Sequence, residues 1–205
     1  MKEATLVQGA EPGLIPGYDY GRPSAARSPL SIEELHQLEQ IVGWSEQDAR
    51  VLRHHEEFFR EHAEEMVDSW RAAIGSQPHL VKWFFGPDGK RDAEYAAKVK
   101  KRFVQWVIDV SVRAHDQAWL DYQEEIGLRH TPDKKNQTDG AHTLPRVPLR
   151  YLFGFIPVVT LGTRRFFLNL GLSAEELQKL EDAWAKAVLL HVTLWSRPYA
   201  KDGLW

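Results

Sequence analysis

Residues 91–130 decide the fold class, and they read RDAEYAAKVKKRFVQWVIDVSVRAHDQAWLDYQEEIGLRH. The apolar side chains of this stretch recur every three or four residues, which is the spacing of one face of an α-helix. Two such stripes follow one another, and they predict helices over residues 91–113 and 116–130. The first stripe consists of Val99, Phe103, Trp106 and Val110. The second consists of Trp119, Tyr122, Ile126 and His130.

Helical signals continue on both sides of this stretch. Ser31 and Ser173 each begin a capping box, because a glutamate follows three residues later. Further helices are predicted over residues 31–43, 45–74, 148–168 and 173–195, with a short turn over 79–85. Pro157 predicts a kink within the helix over 148–168. No alternating strand pattern and no internal repeat occurs, so we predict an all-α fold of six to eight helices.

Length and composition limit the class of protein. The chain has 205 residues, of which 43% are hydrophobic and 27% charged, which is typical of one globular domain. It has no cysteine, which excludes a disulfide framework, a thiolate zinc site, a cysteine-ligated iron–sulfur cluster and a cysteine nucleophile. The net charge of -3 gives no global basic field, so we expect no nucleic-acid or membrane partner.

Targeting signals are also missing from the sequence pattern. The N-terminus has no apolar run of signal-peptide length. The longest apolar stretch, residues 151–162, is well short of the ~20 residues that a membrane-spanning helix needs. We therefore expect a cytoplasmic protein.

The chain divides into an arm and a domain. Residues 1–29 carry too many glycines and prolines for a helix or a central strand, which predicts an extended N-terminal arm. Ile15, Tyr18 and Tyr20 give this arm apolar anchors. Residues 30–205 form the predicted globular domain.

The last predicted helix is unusually apolar. From Trp184 to Trp195, only Lys186, His191 and Thr193 interrupt the apolar run. A helix that is apolar on all sides must be covered on more than one side. A second copy of the chain is the simplest second cover, so we predict self-association.

Histidines supply the candidate ligands for a metal. His130 ends the aromatic stripe of its predicted helix, so it is either an axial haem ligand or a core histidine bonded to a backbone carbonyl. His55 and His62 share a helix face and suggest a metal site, but the charged residues around them favour a solvated face. No phosphate-binding glycine loop, dinucleotide fingerprint or G-x-S-x-G motif is present.

One set of motifs resembles a known family. The sequence DQAWLDYQ at residues 116–123, EIGLRH at 125–130 and KKNQTD at 134–139 is similar to that of the protoglobins, single-domain relatives of the haem domain of globin-coupled sensors. The resemblance runs from about residue 15 to the end of the chain. Further matches occur in the same order at residues 15–21, 68–70, 76–80, 87–89, 101–103, 150–152, 194–196 and 198–199.

This resemblance implies a fold and a cofactor. The fold is a globin three-over-three helical sandwich with an extra N-terminal helix and an extended arm. The cofactor is one haem b, and His130 falls at the position of the proximal ligand to its iron. The residues that fall where the family lines the distal haem face are Phe103, Trp70, Phe155 and Val159. Those that fall near the haem propionates are Arg102, Tyr122 and Arg129, and the arm, with Tyr20, folds over the haem edge.

The sequence departs from the family pattern at three places. The family usually has a distal tyrosine directly after the tryptophan at position 70, and here that residue is Arg71. Phe-Ile-Tyr-Pro is usual on the penultimate long helix, and here it reads Phe155-Ile156-Pro157. The usually basic residues after the ligand are Thr131-Pro132-Asp133. Arg71 is therefore a further candidate pocket residue, either donating to a bound ligand or extending its guanidinium into water.

The resemblance also implies a function. Protoglobins bind oxygen, carbon monoxide and nitric oxide at an open iron site, and they dimerise through the last two long helices. We expect the same gas binding here, for sensing, storage or detoxification, with no catalytic residue assigned. The alternative is a haem-dependent redox enzyme, either peroxidase-like or converting nitric oxide or nitrite. No histidine lies in the predicted distal stripe to act as the acid–base group of a peroxidase, which favours the gas binder.

Overall fold

The computed structural model describes residues 15–201 and 203–205, and helices dominate this part of the chain. The helices are α1 (Ile32–Val42), α2 (Glu46–His54), α3 (Glu56–Gly75), α4 (Pro78–Val81), α5 (Ala93–Val112), α6 (Gln117–Leu128), α7 (Leu149–Phe167) and α8 (Ala174–Ser196). Single 3₁₀ turns follow α4, α7 and α8. In the described ranges the only β pairing is one isolated bridge between Phe85 and Arg91. The prediction of an all-α fold is confirmed.

Capping residues set the helix ends as the sequence predicts. The Ser31 hydroxyl accepts from the backbone N–H of Glu34, whose carboxylate accepts from the backbone N–H of Ser31. Ser173 begins α8 in the same way. Gly43 ends α1 at φ 68°, in the left-handed region that glycine adopts without steric cost. Pro157 lies inside α7, which continues through it.

The helix predicted over residues 45–74 is wrong as a single element, because the chain breaks at His55. This residue has φ −102° and ψ 20°, and it separates α2 from α3. Its backbone N–H bonds to the carbonyl of Leu52, and its ring Nδ1 lies 2.9 Å from the carbonyl oxygen of Val51. The side chain thus satisfies a carbonyl that a continuous helix would have paired with a backbone N–H.

Large aromatic rings fill the core between α3, α5, α7 and α8. Trp184 is 1% exposed and stacks on Phe59 at 5.3 Å between ring centroids. Its indole N–H donates to the carbonyl of Val159, which pins α8 to α7. Trp70 lies at 6.3 Å from Trp184 and extends the cluster toward α5. This cluster contributes to the buried apolar core that holds the long helices together.

The apolar run of α8 is covered mainly within the chain itself. α8 contacts α1, α2, α6 and α7, so its apolar sides face four neighbouring helices. Leu190 and Leu194 pack with Leu35 of α1 in a second buried cluster. Leu189 alone of the run's leucines is exposed, at 42%. These four helices cover most of the run, and self-association stays a prediction.

None of the described helices combines the length and the apolarity that crossing a membrane requires.

Candidate functional site

A cavity of about 1050 Å³ lies between the end of α3, α5, α6 and α7. This volume is slightly above the range of about 300–1,000 Å³ that is usual for small-molecule and cofactor sites. Its walls are mainly apolar and aromatic, and they include the segment that connects α4 to α5. Seven of the ten residues predicted for the site line it, namely Arg71, Arg102, Phe103, Tyr122, Arg129, His130 and Phe155.

His130 lies on the cavity wall just after α6 ends. The helix ends at Leu128 rather than at residue 130 as predicted, and His130 follows in a turn closed by its N–H to the carbonyl of Gly127. Its own carbonyl accepts from the backbone N–H of Val147 and from the hydroxyl of Tyr199. These bonds hold the backbone of His130 in place from both sides.

The ring of His130 is fixed in one tautomer. Nδ1 lies 2.8 Å from the carbonyl oxygen of Ile126, and a carbonyl only accepts, so Nδ1 carries the proton. Nε2 therefore has a lone pair, and it makes no hydrogen bond to any residue in the described ranges. Burial lowers the pKa of this imidazole, which keeps it neutral near pH 7. A neutral imidazole oriented through its other nitrogen is the usual form of a metal-ligating histidine.

Arg102 and Arg129 connect the cavity wall to the arm. Arg102 forms a two-bonded ion pair with Asp139, at 2.6 and 2.9 Å, and donates to the carbonyl of Pro16. Arg129 pairs with Glu125 and donates to the carbonyl of Gly17. Both guanidinium groups are thus partnered by the protein while they line the cavity.

Two arm tyrosines pack behind Tyr122 rather than into the cavity. The Tyr18 and Tyr20 rings meet the Tyr122 ring edge-on, at 5.3 and 5.6 Å between centroids. The Tyr18 hydroxyl donates to Asp109 at 2.6 Å, and the Tyr20 ring lies under the guanidinium of Arg113. Tyr20 is therefore separated from the cavity by Tyr122, and its contact with a cofactor stays a prediction.

Trp70 and Val159 also lie behind the wall. Trp70 is 1% exposed and packs against Phe103, whose ring lines the cavity. Val159 is buried against Trp184. Both predicted distal residues belong to the layer that supports Phe103 and Phe155, and their contact with a cofactor remains a prediction.

Arg71 reaches the cavity wall from α3. Its side chain is half-buried, and its guanidinium carbon lies 5.8 Å from the centroid of the Phe84 ring. Burial, with Arg91 nearby, lowers the pKa of this guanidinium. No carboxylate in the described ranges lies within ion-pair distance of it. Arg71 therefore lines the cavity, and its donation to a bound ligand stays a prediction.

Lys135 and two tryptophans line the cavity without having been predicted to do so. Lys135 is 3% exposed, and its ammonium donates to the carbonyl of Trp83 and to the hydroxyl of Thr143. Burial lowers its pKa to about 8. The indole N–H groups of Trp83 and Trp106 are buried without an acceptor among the described residues. Lys135 belongs to the KKNQTD motif, but nothing in that motif separates a buried lysine from an exposed one.

These observations fit a large, flat, partly anionic cofactor. The apolar walls accommodate a macrocycle, the lone pair of His130 Nε2 suits a metal ion at its centre, and the unpaired indole N–H groups can donate to polar substituents. Among the described residues, no three histidine or carboxylate groups come close enough to hold a bare metal ion. His55 and His62 therefore have no third ligand in this part of the chain.

Comparisons with known proteins agree with this geometry. A family model described as Protoglobin matches residues 31–205. The globin domain of a Geobacter sulfurreducens globin-coupled sensor superposes with a TM-score of 0.64 at 14% identity, covering 81% of this chain and 97% of that domain. The ferric globin domain of E. coli DosC gives 0.61 at 12% identity, covering 80% and 99%. The globin fold is confirmed, while no curated protein matches significantly.

Proposed function

Since the chain belongs to the protoglobin family of haem-binding globins, we propose that it holds haem b beside His130 and reversibly binds oxygen, carbon monoxide and nitric oxide. The observation that carries this proposal is the lone pair of His130 Nε2 on the wall of a large apolar cavity. When bound, the haem supplies the iron centre at which a diatomic gas binds. Sensing, storage and detoxification are the roles that such binding serves.

His130 would act as the axial ligand because its ring is held before any cofactor enters. The bond from Nδ1 to the carbonyl of Ile126 fixes the direction of Nε2 and raises its basicity. The Trp195 ring, nearly parallel at 6.1 Å between centroids, supports the imidazole from one side. Little conformational entropy is then lost when the ligand bond forms.

The aromatic part of the cavity wall would keep bulk water from the bound gas. Phe103 and Phe155 present apolar surface to the cavity, and their rings lie 6.0 Å apart between centroids. Arg102 and Arg129 hold the arm through the carbonyls of Pro16 and Gly17. With Tyr122, they support the proposal that the haem propionates lie on this side and that the arm closes over the haem edge.

Optical spectroscopy of the purified protein tests this function. We expect a haem Soret band and reversible spectral changes when oxygen or carbon monoxide is added to the ferrous protein. Steady turnover of peroxide or nitrite with a reductant, without a stable oxygen complex, would instead identify a redox enzyme. A protein that takes up no haem would refute the proposal.

A homodimer through α7 and α8 is the second part of the proposal. Phe153 and Leu161 lie on the outer face of α7, at 47% and 72% exposure, and Leu189 is exposed on the neighbouring α8. α7 and α8 pack against each other, and exposed apolar side chains on such a pair of helices favour an interface. A second copy presenting the same face would bury them in a four-helix contact. The cytoplasmic location expected from the sequence stays a prediction.

A further inference from the structure

A buried amide on α6 is linked to the ring that lies beside His130. Gln123 is 3% exposed, and its side-chain oxygen accepts a hydrogen bond from the indole N–H of Trp195 at 3.0 Å. The Trp195 ring lies nearly parallel to the His130 imidazole, with 22° between the ring planes. Both of these rings line the cavity. Gln123 is therefore connected to the proposed iron ligand through one intervening side chain.

This hydrogen bond distinguishes Trp195 from the other tryptophans on the cavity wall. Trp83 and Trp106 also line the cavity, but their buried indole N–H groups find no acceptor within the described ranges. The Trp106 ring lies only 5.6 Å from the Trp195 ring between centroids. Because hydrogen bonds favour a narrow range of angles, the acceptor restricts how the Trp195 ring can turn. The protein thus fixes the one indole that lies against the imidazole.

The backbone at Trp195 is also held close to α6. A Cβ atom added to Gly127 of α6 would lie 3.2 Å from the Cα atom of Trp195, which is tighter than ordinary van der Waals contact. Directly after α8, the guanidinium of Arg197 forms two hydrogen bonds with the buried carboxylate of Glu124. These contacts leave the Trp195 ring little freedom to move away from His130.

We propose that Gln123 is a positioning residue, which acts through Trp195 to set the orientation of the His130 imidazole toward the iron. This role rests on the proposed function, because it requires His130 to bind haem iron. The bond from His130 Nδ1 to the carbonyl of Ile126 holds one edge of the imidazole, and rotation about that bond would still tilt the ring plane. The Trp195 ring opposes this tilt. Side chains that orient a metal ligand in this way tune the metal–ligand bond.

Resonance Raman spectroscopy of the ferrous haem protein tests this role, because the iron–imidazole stretching band reports the bond to His130 rather than overall stability. Gln123→Met removes the acceptor, and Trp195→Phe removes the donor but keeps a ring. We expect each substitution to lower the frequency of the band. Because both remove the same bond, Gln123→Met should add no further shift to Trp195→Phe. Haem transfer to an acceptor globin should become roughly two- to tenfold faster in Gln123→Met, the range that one ordinary hydrogen bond contributes.

Two substitutions on the protein surface are the matched controls. Trp205→Phe removes an indole N–H that donates to the Ser196 hydroxyl, and Gln178→Met removes an amide that donates to Asp182. Trp205 and Gln178 are both exposed and lie outside the cavity lining. Neither control should change the frequency of the band or the rate of haem transfer.

An unchanged band in Gln123→Met would overturn the positioning role, and so would a full additional shift when Gln123→Met is combined with Trp195→Phe. If Gln123→Met does not fold, Trp195→Phe decides alone, because it removes the donor of the same bond, and an unchanged band there overturns the role. A wild type without haem would refute the proposed function and this role together. A wild type with a normal band, beside variants whose bands do not move, would remove the role of Gln123 alone.

Discussion

At the scale of single residues, Arg71 is the side chain whose role depends most on whether a ligand is bound in the cavity. It lies half-buried on the cavity wall, with an aromatic ring beside it and no described carboxylate paired to it. A guanidinium always donates, so it stabilises ligands that carry or develop negative charge. Desolvating part of this charge without a partner is unfavourable, and a bound anion or polar ligand would offset that cost.

Arg71→Leu should therefore change ligand release more than ligand entry. We expect oxygen to dissociate roughly tenfold faster and cyanide to bind more weakly, because a charged hydrogen bond contributes about 1.5–3 kcal/mol. The carbon monoxide association rate should change little. Stopped-flow and flash-photolysis measurements give these constants. Equal oxygen dissociation rates and equal cyanide affinities in the two proteins would show that the side chain merely extends into water.

His191 should make the protein less stable in acid. It is 2% exposed among Trp106, Trp119 and Trp195, and its Nδ1 lies 2.7 Å from the carbonyl oxygen of Ala187. Burial, with His115 nearby, lowers its pKa to about 3 from the ordinary 6.5. The unfolded chain then binds a proton that the folded chain does not, so stability falls as pH decreases between these two values.

The variant His191→Phe isolates this contribution. Relative to the variant, the wild type should lose about 1.4 kcal/mol of unfolding free energy for each pH unit between about 6 and 4. Above pH 7, where His191 is neutral in both states, the difference between the two proteins should be constant. Urea unfolding at several pH values measures it. Parallel pH profiles for the two proteins would contradict the assignment.

At the scale of elements, the arm is held by specific hydrogen bonds rather than by apolar contact alone. Pro16 and Gly17 give their carbonyls to the two cavity arginines, and the Tyr18 hydroxyl bonds to Asp109 of α5. These bonds attach the arm to α5 and to the end of α6. Removing them should loosen that side of the cavity while the helices keep their core.

Deleting residues 1–21 should raise the rate of haem loss several-fold with little change in helix content. The deletion of residues 1–14 is the matched control, because it keeps the three contacts at Pro16, Gly17 and Tyr18. Haem transfer to an acceptor globin gives the rate, and far-ultraviolet circular dichroism gives the helix content. If the two deletions lose haem equally fast, or neither differs from the full chain, the arm contacts do not retain haem.

The elements that the sequence predicts best are those with caps and a continuous apolar stripe. Ser31, Gly43 and Ser173 mark their helix ends correctly because capping depends on a few neighbouring residues. The break at His55 is not predictable from the sequence, because the helical spacing of apolar residues continues across it. The His55 ring bonds to the carbonyl of Val51, in place of the backbone N–H that a continuous helix would supply. The position of Lys135 escapes prediction for a similar reason, because its burial depends on distant Trp83.

At the scale of the whole molecule, periodicity alone leaves His130 open to two readings. The bond from its Nδ1 to the carbonyl of Ile126 is what a core histidine would make. The cavity beside its Nε2 is what an axial haem ligand requires. The ordered motifs identify the family, and the three-dimensional arrangement gives the cavity that no single helix pattern contains. Trp70 and Val159 share the same core but lie one layer behind its wall, a distinction that depends on packing between α3, α5 and α7.

The assembly prediction concerns the outer face of α7 and α8. Leu161→Glu should convert the proposed dimer to a monomer, because a buried carboxylate without a partner is unfavourable in an apolar contact. Ile41→Glu is the control, since Ile41 is also exposed, at 80%, but lies on α1. Sedimentation velocity at high micromolar concentration gives the mass of each protein. A monomeric wild type would refute the dimer.

The haem content of His130→Ala tests the central claim most directly, that His130 is the proximal ligand. We expect this variant to lose haem, or to hold it with a changed ferrous-carbonyl spectrum that added imidazole restores. His36→Ala serves as control, because His36 is exposed on α1 and should leave both readouts unchanged. A His130→Ala protein with full haem content and an unaltered ferrous-carbonyl spectrum would contradict the account.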